Sequence, residues 1–440
     1  MVYGINKYST SKNSFQMTQN KELYIPIYLF GGFILFTEIF LFIGPCTFEI
    51  RYPFLLSLYL ACMNISLFLG YRAGVKKFKN KSYVLNFNDS SQLITLKYFL
   101  CISALFSLYR LYTTLGTVRI VNIISRINDS ILSFSEAYAG ELGSSEYGFL
   151  YSFLTIVLSF IVFSAVPFGI YYWRKLPKRY KVIVVYLIFV ELILSIGTGQ
   201  RQDITNLIVG CVLVVIAKVG INKKSIVFLL VSISFAIGFF IILGIGRTGI
   251  DYSEIFLLED RFIIKDSYKQ LLPPFLYYPI GSIHYYLCHG YYNLSLIFDE
   301  LIIGNYRYPI FTFGFGNSWA LLNLINKYVN IDLMPYTYQG MLEITKGVSP
   351  GGQWHTIYPW IANDVSFFGC PFIIYMIGYF FAKMWIDVKK GAKFYAIPLL
   401  AMFSICVFWF FGNNQVNSFY IWSFWPLVFL YVFNPKKRRC

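Results

Sequence analysis

The sequence predicts an all-α polytopic membrane protein with about ten transmembrane helices, twelve being the upper limit. The 440-residue chain is 57% hydrophobic and only 13% charged, whereas about a quarter of the residues of a soluble protein are charged. Separate apolar segments approach the length of about 20 residues that a spanning helix needs, and basic residues concentrate in alternate connections. These observations exclude a soluble enzyme, a disordered chain and a fibrous repeat.

The first apolar run is too long for the core of a cleavable signal and has no small-residue cleavage pattern, so we expect it to remain as a span. Two later spans are short and are separated only by residues 200–205, which predicts a tight hairpin. Glu38 and Glu191 lie within spans, where a carboxylate is costly, and neither has an obvious partner in the sequence. The predicted spans are 23–43, 53–70, 94–115, 149–171, 182–199, 205–219, 226–246, 366–385, 394–411 and 418–434.

The charge pattern predicts the orientation. With the N-terminus inside, the inner connections hold 24 basic and three acidic residues, and the outer connections hold 11 basic and 16 acidic residues. Every inner connection is basic, as the positive-inside rule requires, so we expect both termini on the cytoplasmic side. The predicted regions are an N-terminal bundle of about seven spans (1–246), a large extracytoplasmic loop (247–365) and a C-terminal bundle of about three spans (366–440).

The large predicted loop, 247–365, contains all three histidines of the chain, three tryptophans and 14 tyrosines. A loop much longer than about 15 residues is usually functional or disordered, and this one is too aromatic for disorder. We therefore expect it to fold at the outer face with short helices, and the apolar segment 310–325 to dip into the bilayer.

Arg201 is the first candidate site residue. It follows Gly197-Thr198-Gly199-Gln200 at the outer end of a span, where glycines permit a sharp turn. A guanidinium group held at that depth suits a phosphate or pyrophosphate at the level of the lipid head groups. The alternative interpretation is an arginine that reaches toward the interface and pairs with Asp203.

Further cations in the large loop are candidates for binding a diphosphate. They are Arg247, just after a predicted span, with Arg261 and Arg307 later in the loop, accompanied by Lys265 and Lys269. The alternative is a set of ordinary ion pairs with neighbouring acidic residues, which is favoured for each of these residues except Arg247 and Arg261.

The third candidate group follows Gly351-Gly352. His355 and Asp364 are candidate general bases, because either group serves near neutral pH when its surroundings adjust its pKa. Trp354 and Tyr358 offer flat apolar faces that suit a sugar ring, although aromatic residues also form the interfacial belt of membrane proteins. His284 and His289 are five residues apart, which does not favour a shared metal, and a structural role is favoured for both. We expect no metal site and no cofactor.

These motifs resemble a known family. Gly-Thr-Gly-Gln-Arg201-Gln-Asp resembles the glycine-serine-arginine type motif of bacterial O-antigen and oligosaccharide repeat-unit polymerases, the Wzy group, with Gln200 standing where serine is common. The stretch Tyr308-Pro-Ile-Phe-Thr-Phe-Gly-Phe-Gly316 is similar to a segment of their large outer loop. Residues 356–369 resemble their Asp-Phe-Gly-like entry into the following span, here with three residues between Asp364 and the Phe-Gly pair.

The resemblance implies transfer of a growing glycan from undecaprenyl pyrophosphate to a new lipid-linked repeat unit, at the outer face of the bacterial inner (cell) membrane. Arg201 would stabilise the charge on the leaving pyrophosphate, assisted by Arg247 or Arg261. His355, or alternatively Asp364, would be the base for the acceptor hydroxyl. The implied partners are the lipid-linked oligosaccharide and membrane lipid, with a chain-length regulator and a flippase as further partners, and no nucleic acid.

Three other functions remain open from the sequence. An O-antigen ligase uses a similar topology but transfers the glycan to lipid A core. A lipid-linked oligosaccharide flippase or other transporter is the alternative without bond chemistry, and it favours short loops and cations at mid-depth. An acyltransferase that modifies surface sugars would need a His or Arg near the cytoplasmic side, whereas all three histidines are predicted outside.

Overall fold

The computed structural model describes residues 21–80, 89–115, 149–197, 201–248, 263–273, 276–304, 311–312, 314–350 and 353–433. Within these ranges the chain is helical and contains no strand, which confirms the predicted all-α class. The helices are α1 Ile25–Ile43, α2 Pro53–Phe78, α3 Asp89–Leu115, α4 Phe149–Tyr171, α5 Lys178–Gly197, α6 Arg201–Val219, α7 Lys223–Thr248, α8 Asp266–Leu271, α9 Tyr277–Ile303, α10 Trp319–Val329, α11 Tyr338–Lys346, α12 Ile357–Lys389, α13 Ala396–Phe408, α14 Gln415–Phe419 and α15 Ile421–Phe433.

Six of the described helices (α1, α2, α3, α4, α6 and α12) are long and apolar enough to cross a membrane. Shorter apolar helices occupy Ser225–Phe235, Ala396–Phe411 and Ile421–Phe433. Many large apolar side chains on these helices face outward, as lipid surroundings permit. The chain is therefore an all-α protein with the helices of a multi-pass membrane protein.

The helix ends that carry most of the lysines and arginines meet at one end of the bundle, which we call the basic end. There Glu22 near the start of α1 forms an ion pair with Lys389 at the end of α12. Lys390 donates to the carbonyl of Phe78 at the end of α2 (3.3 Å), and Lys393 donates to that of Tyr431 in α15 (2.6 Å). The alternation of basic connections in the sequence thus corresponds to a common end in space.

Helices α2 and α12 pack closely through small residues. Gly70 and Gly74 are four residues apart on α2, and a methyl group at Gly70 would lie 1.9 Å from the carbonyl oxygen of Tyr375. On α12, Gly378 also lies close to the backbone of α2, where a methyl group would lie 2.3 Å from the carbonyl oxygen of Leu67. In a membrane the hydrophobic effect does not drive helices together, because lipid is as apolar as the side chains. Small residues let the helix backbones approach closely enough for van der Waals packing to do so.

Helix α9 belongs to the segment predicted as an outer loop with short helices, but it has 27 residues and packs into the common core. Tyr291 Oη lies 3.0 Å from Thr37 Oγ1 of α1, and the Cys288 thiol donates to the Thr37 carbonyl (3.6 Å). The segment 310–325, which was expected to dip into the bilayer, is not one helix over its described part. Instead, α10 begins at Trp319, where Ser318 Oγ accepts from the backbone N–H of Leu321 (3.3 Å).

Helix α12 is interrupted at Ser366, whose backbone has φ 60° and ψ 169°. This conformation strongly favours glycine and breaks the helical ladder. The predicted span 366–385 begins at this break, whereas residues 357–365 form a separate helical piece that carries the candidate site residues Tyr358 and Asp364.

The C-terminal hairpin brings α13 and α15 together through a polar turn, residues 409–420, which we call the apex. The apex contacts the first turns of α6. Trp409 Nε1 donates to Asn206 Oδ1 (2.5 Å), Asn206 Nδ2 donates to Tyr420 Oη (3.0 Å), and Gln202 Nε2 donates to Gln415 Oε1. These bonds fix the start of α6 beside the apex, at the end of the bundle opposite the basic end.

Candidate functional site

An apolar groove with a volume of about 450 Å³ lies between α1, α6, α7, α9 and the turn Trp409–Phe411. Almost all of its wall is hydrocarbon. Phenylalanines of α1 and aliphatic side chains of α6 and α7 form the sides, and Thr205, Ser232, Tyr286 and Trp409 are polar or amphipathic exceptions. The groove-lining residues include Phe30, Phe33, Phe36, Phe40, Ile208, Val212, Leu229, Ile233, Ile283 and Phe411.

Three aromatic side chains, Tyr286, Trp354 and Trp409, meet beside the part of the groove nearest the start of α6, where Trp409 bonds to Asn206; we call this part its aromatic end. Trp354 stacks on Trp409, with ring centroids 5.6 Å apart and planes inclined by 22°. Tyr286 meets the Trp354 ring edge-on at 5.2 Å. Trp354, a sequence-predicted binding residue, therefore contacts two groove-lining residues without lining the groove itself, whereas Tyr358 lies fully buried in the core against Tyr59 and Phe410. The position of Tyr358 favours a packing role.

The segment that carries Trp354 and His355 is held between α9 and the apex. Asn293 Nδ2 of α9 donates to the Trp354 carbonyl (2.7 Å). Asn413 Oδ1 accepts from the His355 N–H (3.1 Å) and from Trp360 Nε1 (3.2 Å), and the Asn413 N–H donates to the His355 carbonyl. Asn413 has a positive φ of 59°, which asparagine tolerates better than most residues.

His355 is fully buried, and neither ring nitrogen has a hydrogen-bond partner among the described residues. Burial lowers the pKa of its imidazole to about 3, and nearby His289 acts in the same direction. The ring is therefore neutral at pH 7, and one of its two nitrogens is unprotonated.

His289 lies on α9 next to this segment. Its Nε2 lies 3.1 Å from Gln353 Oε1, and since that oxygen only accepts, Nε2 carries the proton and Nδ1 is the acceptor. Nδ1 has no partner among the described residues. Burial lowers the pKa of His289 to about 4, against the opposing effect of the Gln353 hydrogen bond.

His284 has the structural role that the sequence favoured. Its Nδ1 accepts from the Cys46 N–H (2.9 Å), so Nε2 carries the proton and donates to the Phe40 carbonyl (2.8 Å). Both ring nitrogens are thereby used to join α9 to the end of α1. Burial lowers the pKa of His284 to about 4.

Asp364, the alternative base, is a hydrogen-bond acceptor for a neighbouring segment. Oδ1 accepts from the N–H and Oγ1 of Thr312 (2.7 and 2.8 Å). Oδ2 accepts from the Gly314 N–H (3.1 Å) and from Asn317 Nδ2 (2.8 Å). The carboxylate thus joins two segments that the sequence singled out, 308–316 and 356–369, and these four donors favour a positioning role.

Arg201 is the first residue of α6, so residues 201–205, predicted as part of the connection, instead begin this helix. Helix α5 ends at Gly197, and residues 198–200 lie outside the described residues. Residues four apart share a helix face, and Thr205, one turn after Arg201, lines the groove. The backbone of Arg201 is therefore placed above the groove, near the apex. Arg247 lies in the last turn of α7, another wall of the groove, while Arg261 and Arg307 lie outside the described residues.

Two intramembrane carboxylates have partners that sequence reasoning missed. Arg110 Nη1 of α3 forms an ion pair with Glu191 Oε1 of α5 at 2.5 Å. Asn64 Nδ2 of α2 donates to Glu38 Oε2 of α1 at 2.6 Å. Each partner lies on another helix and far away in the chain, so local spacing carried no signal for either pair.

No group of three metal-ligating side chains occurs among the described residues. Comparison of the chain with protein-family models, with curated proteins and with solved structures gives no match in any of the three.

Proposed function

We propose that this chain is a membrane glycosyltransferase that polymerises lipid-linked oligosaccharide repeat units. The observation that carries the proposal is the apolar groove, which is lined in part by Tyr286 and Trp409, with Trp354 packed against both of them next to the buried His355. A substrate that is part polyprenyl chain and part sugar matches an apolar groove with these amphipathic aromatic side chains beside it.

The lipid part of the substrate fits the groove. A polyprenyl chain has no polar atoms, and the groove wall is almost entirely apolar. Burial of such a chain gains roughly 25 cal/mol per Å² of apolar surface. Unlike a sealed core cavity, the groove is bordered by α7, whose described side chains, in its first half, are largely exposed, so a lipid can enter it sideways from the bilayer.

The pyrophosphate is the leaving group, and its negative charge grows as the bond to sugar C1 breaks. Arg201 heads α6 one turn before the groove-lining Thr205, at the positive end of the helix dipole. We assign Arg201 to that charge, with Arg247 at the end of α7 as its assistant. Fixed guanidinium groups stabilise such charge without reorganisation.

The acceptor hydroxyl must lose its proton as the new glycosidic bond forms. We assign His355 as the base, because neither ring nitrogen has a partner among the described residues. The ring is buried and its pKa is low, so this role requires that substrate binding open the site and that the pyrophosphate charge raise the imidazole pKa. In the complete step the donor C1–O bond breaks, the acceptor oxygen bonds to C1, the proton moves to the imidazole, and polyprenyl pyrophosphate leaves. Asp364 then acts as a positioning residue rather than as the base, through its bonds to Thr312, Gly314 and Asn317.

The proposal includes the finer topology that the charge pattern predicts. It places about ten spans in a bacterial cell membrane, both termini in the cytoplasm, and the groove's aromatic end toward the exterior. The common basic end of the bundle supports this arrangement, because every connection assigned to the cytoplasm is basic.

An Arg201→Ala variant tests the proposal in cells. We expect normal insertion and protein level, but surface glycan restricted to single repeat units, because the leaving-group charge is no longer stabilised. Lys327→Ala, which removes an exposed cation on α10, is the control and should leave long chains. Long chains in the Arg201→Ala strain would remove Arg201 from the mechanism.

Deletion of the gene distinguishes a polymerase from the nearest alternative function, an O-antigen ligase. A polymerase deletion should leave single repeats on the surface and remove the polymer. Loss of all surface glycan, with long chains accumulating on the lipid carrier, would instead indicate a ligase.

A further inference from the structure

A second pocket, separate from the groove, lies at the basic end of the bundle. Its volume is about 770 Å³. It is bordered by the end of α4, the turn Trp173–Lys175, the end of α6 and the start of α7. The residues that line it are Ile170, Tyr171, Trp173, Arg174, Val215, Lys218, Val219, Asn222 and Lys223.

The charged residues of this pocket are all basic. Arg174, Lys218 and Lys223 line it, and no carboxylate occurs among its described lining residues. The Lys218 ammonium lies 4.5 Å from the centroid of the Tyr171 ring, which directs this cation to one wall. Arg174 adds a planar fork that binds phosphate oxygens in pairs.

The start of α7 adds to the positive potential. Asn222 Oδ1 accepts from the Ser225 N–H (3.0 Å), so the helix is capped at the pocket. The first turn of a helix carries a partial positive charge. The pocket thus combines side-chain cations from three segments with a helix N-terminus.

The remaining lining is apolar and continues to the surface. Ile170, Val215 and Val219 contribute hydrocarbon. Val219 and the adjacent Ile221 are 46% and 54% exposed, and Trp173 is 39% exposed. A soluble anion would leave these apolar side chains exposed to water. The acyl chains of a lipid would cover them, with Trp173 at the level of the membrane interface.

We propose that this pocket binds the head group of an anionic phospholipid from the leaflet at the basic end. Basic pockets between membrane helices bind such head groups elsewhere in membrane proteins. The phosphate contacts Arg174, Lys218 and Lys223, and the acyl chains lie against Val215 and Val219. This site is independent of the proposed function, since it shares no residue with the groove.

Native mass spectrometry of the purified full chain in detergent tests the site. Phosphatidylglycerol and phosphatidylcholine with identical acyl chains are added in turn, and the fraction of protein that retains one lipid is measured. We expect phosphatidylglycerol to be retained at least about tenfold more strongly, because the three cations favour the anionic head group. Equal retention of the two lipids would overturn the proposal.

A triple variant, Arg174→Gln, Lys218→Gln and Lys223→Gln, should bring retention of phosphatidylglycerol down to that of phosphatidylcholine. The matched control replaces Lys76, Lys77 and Lys79, three exposed cations of the basic end on and just after α2, by glutamine, and should retain the lipid. If both variants lose phosphatidylglycerol to the same extent, retention depends only on the general positive charge of that face, and the proposal of a specific site is wrong.

Two further measurements complete the test. Size-exclusion chromatography checks that both variants remain monodisperse, and single substitutions at Arg174 and Lys223 replace the triple variant if it aggregates, with partial loss of lipid expected from each. Inorganic phosphate at the concentration of the lipid should not displace phosphatidylglycerol. Full displacement would indicate a site for free phosphate and overturn the assignment to a lipid.

Discussion

Asn363 and Asp364 are adjacent residues that fix two different segments to the first part of α12. Asn363 Oδ1 accepts from the Tyr338 N–H (3.0 Å), and its Nδ2 donates to the Gly316 carbonyl (2.8 Å). The Asp364 carboxylate accepts four hydrogen bonds from residues 312–317. A partly buried carboxylate with several donors is stabilising only as long as every donor keeps its acceptor.

We expect Asp364→Asn to destabilise the protein by about 3 kcal/mol, because the new amide N–H₂ faces donors that lose their acceptor. Thermal unfolding in detergent measures the effect as a lower midpoint. Asp332→Asn is the control, since Asp332 is exposed and accepts from the Met334 N–H at 3.1 Å. Equal midpoints for the two variants would show that the Asp364 bonds contribute little.

The buried His355 should make the stability of the protein depend on pH. Burial holds the pKa of the folded imidazole at about 3, below its ordinary value of 6.5. Between these values the unfolded chain binds a proton that the folded chain does not, so stability falls as the pH decreases below 6.5. From pH 6.5 to pH 5 we expect a loss of about 2 kcal/mol from this residue.

The pH dependence is measured by unfolding wild type and His355→Gln at pH 7.5 and at pH 5. Glutamine does not titrate, so the variant should lose less stability on acidification than wild type. Parallel losses in the two proteins would mean that His355 does not remain neutral on folding.

At the scale of elements, the close contact of α2 and α12 depends on glycine. A methyl group at Gly70 would lie 1.9 Å from the Tyr375 carbonyl oxygen. Because that oxygen belongs to the backbone of α12, no side chain can rotate away to relieve the clash. The two helices must then separate and lose contact along their length. The motif Gly70-Tyr-Arg-Ala-Gly74 has the spacing by which membrane helices commonly approach each other.

Gly70→Ala should therefore lower the unfolding midpoint strongly, by the equivalent of about 2–4 kcal/mol, within the range of overpacked or distorted cores. Gly32→Ala is the matched control, because Gly32 also lies within a membrane helix and nothing approaches its Cβ position within 4 Å. A midpoint for Gly70→Ala as high as that of Gly32→Ala would contradict the close approach of α2 and α12.

Local pattern predicted the elements better than the site. Apolar run lengths predicted the helices on both sides of Arg201 to within a few residues and a span beginning at 366, although α6 starts at Arg201 and a further helical piece precedes Ser366. They did not predict the placement of α9, because its contacts with Thr37 and Phe40 of α1 join residues more than 240 positions apart. Periodicity along the sequence contains no information about such partners.

The apex is the part of the candidate site that the sequence pattern does not single out. Gly412-Asn413-Asn414-Gln415 lies between the predicted spans 394–411 and 418–434, and span lengths alone predict only a connection there. A run of carboxamides between spans was the available signal, and in the structure these side chains bind Gln202, the His355 backbone and the Asn317 carbonyl. The roles of Asn413 and Asp364 depend on which segments meet, and only the folded chain shows that.

At the scale of the whole molecule, the charge pattern predicts sidedness. We expect a reporter fused at Gln353 to lie outside the cell and one fused at Lys389 to lie inside, because Lys389 belongs to the basic end. Reporter enzymes that work on one side only, alkaline phosphatase outside and a fluorescent protein inside, measure this. Both fusions on the same side, or the reverse result, would contradict the topology.

The central proposal is that the groove and its aromatic end polymerise a lipid-linked glycan. The most direct measurement reconstitutes the purified protein in lipid vesicles with a synthetic single repeat unit on undecaprenyl pyrophosphate. Products are separated by glycan length, and released undecaprenyl pyrophosphate is quantified. We expect a ladder of glycans with one released carrier for each bond formed, and at least about a hundredfold slower turnover for Arg201→Ala, as for loss of one charge-stabilising group. Folded protein that forms no ladder, or that transfers the glycan only to an added lipid A core, would contradict the account.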